Sequence, residues 1–236
     1  KAILSITGDH IRCLNTQAAI ALNRSSGRTG GLSERSINDD DIYQVLDLAQ
    51  AVSLPVDRDI LHTLPQEYLV DTLKEIKNPI GMTGRRLEGR VHLVTAATTA
   101  MKNLVSCVEE LGITVDGLVF QPLASALATL HEDEMELGVT LVEIGSSTTN
   151  IAVYHGSAIR HSAIIPIGSS SITNDIAVML QISIDEAEKI KMKYASAKAS
   201  MSSPKLEIEL PSESGQLQRS VPEQEISRYV EARMHE

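Results

Sequence analysis

Hydrophobic and polar positions alternate in two parts of the chain, and a period of two residues predicts β-strands. The first segment, KAILSITGDHIRC, has the alternation of a half-buried strand that is interrupted at Thr7-Gly8-Asp9. Residues 58–71 and the run RVHLVTAA predict two further strands, the former bent at Pro65. From Val139 the chain becomes a meander of three strands, VTLVEI, TNIAVY and AIRHSAIIPIG, joined by turns. Strands are therefore expected both early in the chain and beyond its middle.

Between these strands the apolar residues recur every three or four positions, which predicts amphipathic helices. The stretch INDDDIYQVLDLAQAV offers Asn38 or Asp39 as its N-cap. The helical pattern TTAMKNLVSCVEELG stops at Gly112, and a later short helix opens at Pro122. The order strand, helix, strand, strand over residues 1–97 predicts a small α+β unit. A second region begins after it.

The last part of the chain predicts three more helices. Two of them are expected at residues 171–182 and 183–197, and the second opens with a capping box of Ser183 and Glu186. The final helix begins in SVPEQEISRYV, where Ser220 and Glu223 have the same spacing. Polar, Gly/Ser- or Ser/Pro-rich stretches at 23–38 and 200–221 predict loops, the second of which holds one short strand, KLEIEL.

Composition narrows the class of protein. An apolar content of 42% and a charged content of 22% are ordinary for a soluble globular chain of 236 residues. With one Phe and no Trp, the cores must be aliphatic, and aromatic platforms for nucleic-acid bases are not expected. The net charge of −10 opposes binding to a phosphate backbone, which requires clustered Lys and Arg. We therefore expect no nucleic-acid partner.

The cysteines and the two ends of the sequence indicate where the protein is located and how much of it this chain represents. Cys13 and Cys107 form neither a disulfide framework nor a CxxC motif, which fits a reducing cytoplasm. The sequence shows no signal peptide and no apolar run of membrane-spanning length. The chain starts inside a strand pattern and ends inside a helix pattern, so we expect it to be part of something longer. The seven His have no paired metal-ligand spacing.

One hairpin carries the strongest candidate chemistry. In LVEIGSSTTNIAVY, the small residues Gly145 to Thr148 lie between two apolar runs, Glu143 ends the first strand and Asn150 lies on the second. Such a turn can present successive backbone N–H groups to an anion. An acid beside it can hold a metal ion through water. The same spacing also fits an ordinary β-hairpin.

The order of several blocks resembles the actin-like ATPase superfamily and, within it, the FtsA family of bacterial cell-division proteins. The similarity rests on SITGDHIRCLN, ILHTLPQEYLVD, IKNPIGMTGRRLEGRVHLVTA, GLVFQPLASALATL, DEMELGVTLVEIG, NIAVY and IRHSAIIPIG. A pilus-assembly protein of the PilM type is the alternative, and LPQEY…KNPIGMTGRRL favours FtsA over it. Sugar kinases or Hsp70-like chaperones would need a catalytic Asp or a peptide-binding domain, neither of which is visible.

The resemblance implies an α/β fold: an α+β inserted subdomain and actin/Hsp70-like lobes of ribonuclease-H type. Residues 1–97 would be the inserted subdomain and 98–136 the returning part of the first lobe. Residues 137–170 would be the second-lobe sheet with the phosphate hairpin, and 171–236 the truncated outer subdomain of that lobe. The first phosphate loop, the third nucleotide element and an amphipathic membrane tail would lie outside this sequence.

The resemblance also implies ATP and Mg²⁺ as cofactors. The family's second phosphate loop reads Asp-Ile-Gly-Gly-Gly-Thr-x-Asp, whereas this chain has Glu143 and Asn150 in place of the acids and Ser146 and Ser147 in place of glycines. Glu143 would hold Mg²⁺ through water, and Gly145, Ser146, Ser147 and Thr148 would bind phosphate. If positive φ is required, each serine costs about 1 kcal/mol. Activity is expected to be at most that of a weak ATPase.

Four further residues are expected at the nucleotide by the same resemblance. Gln121, which precedes Pro122, would orient the attacking water, although a solvated loop Gln fits the sequence as well. Glu188 and Lys191 share a helix face and would contact ribose and base, although a surface ion pair is the alternative. Gly168 would border the cleft, although helix capping explains it equally.

The resemblance finally implies partners. An FtsA-like protein binds the C-terminal peptide of FtsZ near its last helix, where Arg228 and Tyr229 lie in this chain. It self-associates into filaments, and residues 1–97 would meet other division proteins. The expected location is cytoplasmic, peripheral on the inner face of the cell membrane at the division site, and the expected role is to tether the FtsZ ring there.

Overall fold

The computed structural model describes residues 1–22, 35–210 and 219–236, so parts of both predicted loops lie outside the described residues. Its strands are β1 Ala2–Ile6, β2 Arg12–Ala21, β3 Arg35–Ser36, β4 Arg58–Val70, β5 Leu73–Ile76, β6 Thr83–Gly84, β7 Arg86–Ala97, β8 Val115–Phe120, β9 Val139–Ile144, β10 Thr149–His155, β11 Ala158–Ile165, β12 Glu207–Leu210 and β13 Arg219–Pro222. Its α-helices are α1 Asp39–Gln50, α2 Thr98–Glu109, α3 Gln121–Thr129, α4 Glu132–Leu137, α5 Ser169–Leu180, α6 Ile184–Tyr194 and α7 Glu223–His235.

The chain divides into two compact units. The first, called unit 1, comprises Lys1–Glu143 and Asn150–Ile165, and the second, called unit 2, comprises Ile144–Thr149 and Pro166–Glu236. The turn of the β9–β10 hairpin is thus grouped with unit 2, whereas most of its two strands are grouped with unit 1. The finer boundaries expected from sequence, after residues 97, 136 and 170, stay predictions.

A parallel strand pair brings distant parts of unit 1 together. Strand β1 lies beside β8, with Ile3 opposite Gly117 and Ile6 opposite Phe120. Phe120 is fully buried there, among aliphatic side chains from β1, β7 and α2. Because the strands are parallel, the residues that follow Ile6 and Phe120 leave the sheet at the same edge.

Unit 1 also contains a four-stranded antiparallel sheet with the strand order β2-β7-β4-β5. Strand β7 is central and is buried over most of its length. Helix α1 covers one face and places Val45 and Ala49 in the core. Its N-cap is Asn38, whose side chain accepts from the backbone N–H of Asp41, which confirms one of the two predicted caps. The register of β4 shifts beside Pro65, which confirms the predicted bend.

The predicted meander is also present in unit 1, as a three-stranded sheet in the order β11-β10-β9. Ala152 and Ile159 are buried on it against Ala126 of α3. Pro122 lies in the first turn of α3, as predicted. Among the residues that the structure describes, no helix is long and apolar enough to cross a membrane.

Unit 2 packs α5, α6 and α7 around an aliphatic core with the short antiparallel pair β12–β13. Ile176 and Ile226 are fully buried at its centre. Helix α6 begins with the predicted capping box, in which Ser183 accepts from Glu186 N–H at 3.3 Å and Glu186 accepts from Ser183 N–H at 3.4 Å.

The interruption predicted at Thr7-Gly8-Asp9 is confirmed: the chain turns at Gly8, where φ is +147° and the carbonyl oxygen accepts from Ile11 N–H, and the strands on either side, β1 and β2, lie in two different sheets. The cap predicted for the last helix was wrong. Ser220 does not cap the last helix, because it pairs with Glu209 in β12–β13 and α7 begins at Glu223.

Candidate functional site

The turn of the β9–β10 hairpin is closed by one hydrogen bond, from Gly145 N–H to Thr148 O at 2.9 Å. None of the residues from Gly145 to Thr148 has positive φ among the described backbone. Ser146 and Ser147 therefore adopt this turn without the left-handed strain that a glycine would relieve. The departure from the family's glycines costs no backbone strain here.

The carbonyl oxygens of this turn face the start of α5 in unit 2. Ser169 N–H donates to Gly145 O and Ser170 N–H to Ser146 O, both at 2.9 Å. The Ser170 hydroxyl donates to the same Ser146 oxygen at 2.6 Å. Within the turn itself, the backbone N–H groups of residues 146–148 have no acceptor among the described residues. Three carbonyl oxygens of the turn, those of Gly145, Ser146 and Thr148, thus accept hydrogen bonds, whereas the N–H groups of residues 146–148 remain as donors that an anion could use.

Gly168 makes this approach possible. A Cβ at this position would lie 2.4 Å from Ser146 O and 2.6 Å from Gly145 O, distances that real Cβ atoms do not adopt against backbone. Its φ is −154°, so space rather than backbone conformation demands glycine. Gly168 is also the N-cap residue of α5. The capping alternative is therefore correct, and the same residue contacts the predicted phosphate turn.

A second polar cluster, in unit 1, surrounds the Glu143 carboxylate. Gln121 Nε2 donates to Glu143 Oε1, and Asn150 Nδ2 donates to Glu143 Oε2 at 3.2 Å. The Thr7 hydroxyl donates to Asn150 Oδ1 at 2.6 Å. Asn150 is only 1% exposed. Thr7, Gln121, Glu143 and Asn150 are called the carboxylate cluster below.

The carboxylate cluster includes one residue that the sequence analysis did not select. Thr7 follows β1 and Gln121 follows β8, and the parallel pairing of those strands brings both residues to one sheet edge. The pairing joins segments more than a hundred residues apart, so no local pattern identifies Thr7. A polar residue directly after a short strand was the only signal available.

The side chains around Glu143 offer few direct ligands for Mg²⁺. Within the described ranges, no group of three or more His, Cys, Asp or Glu side chains is placed to hold a metal ion. Glu143 is a single carboxylate whose two oxygens already accept from side-chain amides. This geometry does not provide a direct protein cage, but Mg²⁺ keeps most of its water ligands and needs only one carboxylate besides phosphate. The predicted contact through water is compatible with these residues.

Glu188 and Lys191 lie together in unit 2 and do more than pair with each other. Lys191 Nζ is 2.7 Å from Glu188 Oε2 and donates to Thr173 Oγ1 at 2.8 Å and to Ser169 O at 3.2 Å. Hydrogen bonds from Lys191 and Thr173 lower the pKa of Glu188. The pair therefore joins α6 to the start of α5, and its predicted nucleotide contact stays a prediction.

The predicted partner residues lie on α7. Arg228 is exposed, whereas the Tyr229 hydroxyl donates to Glu225 Oε1 at 2.6 Å. That hydrogen bond raises the pKa of Tyr229 to about 12. Tyr229 also lines a cavity of about 420 Å³ between α5 and α7, beside the exposed Val178 and Met179. Arg228 directly precedes this cavity-lining tyrosine in the sequence. The binding of a partner by Arg228 and Tyr229 stays a prediction.

The fold places the chain in a known class. It is similar to the PilM–PilN type IV pilus biogenesis complex, with a TM-score of 0.57, 13% identity, and coverage of 81% of this chain and 50% of that one. Likeness at this identity concerns the fold alone. The chain thus has a mixed α/β fold of the actin-like class.

Sequence comparison gives the family. A model described as "Cell division protein FtsA" matches residues 140–234, and one described as "SHS2 domain inserted in FTSA" matches residues 8–95. The cell division protein FtsA of Pseudomonas aeruginosa is 42% identical over 235 residues, and that of Escherichia coli K12 is 36% identical over 233 residues. The alignments cover 100% and 99% of this chain but 54% and 53% of those proteins. The chain belongs to the FtsA family and spans about half the length of the curated relatives it matches.

Proposed function

We propose that this chain binds ATP with Mg²⁺ at the β9–β10 hairpin, as part of a cell-division adaptor. The observation that supports the proposal is the hydrogen bonding of the turn: the carbonyl oxygens of Gly145 and Ser146 accept from Ser169 and Ser170, while the N–H groups of residues 146–148 have no acceptor among the described residues. Phosphate oxygens are acceptors only, so they complement such donors. Gly168 keeps the turn against α5 and thereby holds the three N–H groups in one arrangement.

Turnover in this proposal depends on two side chains. Bound Mg²⁺ would offset phosphate charge, and Glu143 would hold its water shell as a single carboxylate. Gln121 would accept a hydrogen bond from the attacking water, which orients the water without a shifted pKa. Because the two side chains that donate to Glu143 among the described residues, Gln121 and Asn150, are amides and not carboxylic acids, we expect weak hydrolysis at most.

The adaptor role is the finer part of the proposal. The family assignment supports a role in cell division, with filaments that carry FtsZ to the inner face of the membrane. We place the contact with the FtsZ C-terminal peptide at Arg228 and Tyr229 and the contacts with later division proteins on residues 1–97. Multiple weak contacts along a filament would act together as avidity at the division site.

Nucleotide titration tests the first part. The gene product at full length is titrated with a fluorescent ATP analogue with and without Mg²⁺. The variants Ser147→Asp and Ser106→Asp are titrated in the same way. Ser147→Asp puts a carboxylate beside the N–H groups and is expected to weaken affinity roughly a hundredfold, as a few kcal/mol of repulsion implies. Ser106 is exposed on α2, so the same charge there should leave affinity unchanged. Absence of ATP binding by the parent, or equal affinity of Ser147→Asp and the parent, would refute the site.

Peptide binding tests the adaptor part. An FtsZ tail peptide is expected to bind the parent and to bind Arg228→Ala roughly tenfold more weakly, since loss of an interfacial charge commonly costs more than 1 kcal/mol. Lys198→Ala removes an equal charge from an exposed position and serves as the control. Binding of a pilus-assembly peptide in place of the FtsZ peptide would support the PilM-type alternative instead.

A further inference from the structure

We propose that Thr7 and Asn150 are positioning residues that set the orientation of the Gln121 side-chain amide. The inference rests on the proposed nucleotide site, because the orientation matters through the water that Gln121 would hold. It concerns only the carboxylate cluster, whose four members all belong to unit 1.

The direction of each hydrogen bond in the cluster follows from chemistry. An ionised carboxylate can only accept, so each amide that faces Glu143 must present its NH₂ end. Gln121 and Asn150 both do so, one to each carboxylate oxygen. The opposite end of the Asn150 amide is then a carbonyl oxygen, which requires a donor because Asn150 is buried. The Thr7 hydroxyl supplies that donor at 2.6 Å.

This chain of contacts fixes which end of Gln121 is free. Its Nε2 is held by Glu143, and its Oε1 makes no hydrogen bond among the described residues. The free end is therefore the carbonyl oxygen, the acceptor that a water molecule needs in order to donate a proton. A reversed amide would point Oε1 at the Glu143 carboxylate, where two acceptors repel each other.

Asn150 is the residue that connects Thr7 to this arrangement. It holds Glu143 Oε2 on one side and is held by Thr7 on the other. An aspartate here would put a second carboxylate about as close to Glu143 as the present 3.2 Å contact, with two like charges facing each other and no N–H between them. The amide at 150 therefore supplies the donor for Glu143 Oε2, while Glu143 Oε1 accepts from Gln121.

The experiment compares Thr7→Val, which removes the hydroxyl at nearly constant shape, with Thr7→Ser, which keeps it. Both are made in the ¹⁵N-labelled gene product at full length, and the side-chain NH₂ signals of Gln121 and Asn150 are recorded without nucleotide. Thr7→Val is expected to move both pairs of signals, although the Thr7 hydroxyl donates to Asn150 and not to Gln121. Thr7→Ser is expected to leave both near their parental positions.

Kinetics add a readout that loss of folding would not reproduce. For Thr7→Val, kcat of ATP hydrolysis is expected to fall roughly tenfold while KM stays within about twofold, because water positioning acts in the chemical step. Thr7→Ser should restore kcat. Far-UV circular dichroism checks that each variant is folded. If Thr7→Val does not fold, Asn150→Asp serves as the second variant. Asn150→Asp is expected to shift the Gln121 signals as well.

The inference is overturned if the Gln121 signals stay unchanged in a folded Thr7→Val or Asn150→Asp protein, or if Thr7→Ser behaves as Thr7→Val does. The nucleotide titration of the parent decides the proposed function separately. A parent that binds no ATP refutes the nucleotide site, and a parent that binds ATP with Gln121 signals insensitive to Thr7 refutes the positioning role alone.

Discussion

His92 offers the most direct test of the energetics of unit 1. It lies on the central strand β7 and is 1% exposed. Its Nδ1 is 2.6 Å from Asn15 Oδ1 and its Nε2 is 2.7 Å from Ser162 Oγ, so both ring nitrogens have partners in the neutral form. Burial, with a smaller contribution from His161, lowers the pKa of His92 to about 4. The folded chain therefore keeps this imidazole neutral at pH values where the unfolded chain protonates it.

The sign and size of the pH effect follow from these values. Because the folded pKa is about 4 and the ordinary value is 6.5, the unfolded state binds more protons between those pH values. The free energy of unfolding contributed by His92 is thus complete above pH 6.5 and is lost as pH falls toward pH 4. Proton linkage with these two pKa values gives a loss of about 2 kcal/mol between about pH 7 and about pH 5.

The perturbation is His92→Gln, which can donate and accept but cannot become charged. Native-state hydrogen exchange of β7 amides at both pH values measures the opening free energy of the sheet that contains the residue. We expect the parent to lose about 2 kcal/mol more than His92→Gln on acidification. His161→Gln, at an exposed neighbouring position, is the control and should keep most of the parental pH dependence. Equal pH dependence in the parent and His92→Gln would refute the reasoning, and an NMR titration of the His92 ring would locate the error.

Two further predictions concern packing and capping in unit 2. Gly168→Ala is expected to weaken ATP binding at least roughly tenfold, because the added Cβ would meet Ser146 O at 2.4 Å. Gly117→Ala is the control, because a Cβ at residue 117 meets no atom within 4 Å. Equal ATP affinities of Gly168→Ala and the parent would contradict the packing argument. Ser183→Ala is expected to lower the free energy of unfolding in urea by about 1 kcal/mol through loss of the α6 cap. Ser220→Ala should change it by less than about 0.5 kcal/mol, since this serine lies in a strand pair, and a loss equal to that of Ser183→Ala would mean that it caps α7.

Local signals were sufficient for elements whose ends are determined by neighbours in sequence. The caps at Asn38 and Ser183 were predictable because each side chain reaches a backbone N–H only three residues away. The bend at Pro65 was predictable because proline lacks the donor that an unbroken ladder requires. The failure at Ser220 has the opposite origin: pairing with Glu209 places it in a strand, and Glu223 accepts from Ser203 N–H instead.

The features of the candidate site likewise divide into those that local sequence predicts and those that depend on long-range contacts. The sequence by itself determined the small residues of the 145–148 turn, the flanking Glu143 and Asn150, and the resemblance that led to Gln121 and Gly168. Only the tertiary structure decided that the turn needs no positive φ, that Gly168 is required by the space beside Ser146 O, and that Thr7 joins the carboxylate cluster. The reason is physical: a residue's preference for a turn or a cap is local, whereas the distance between Thr7 and Asn150 is set by strand pairing over long sequence separations.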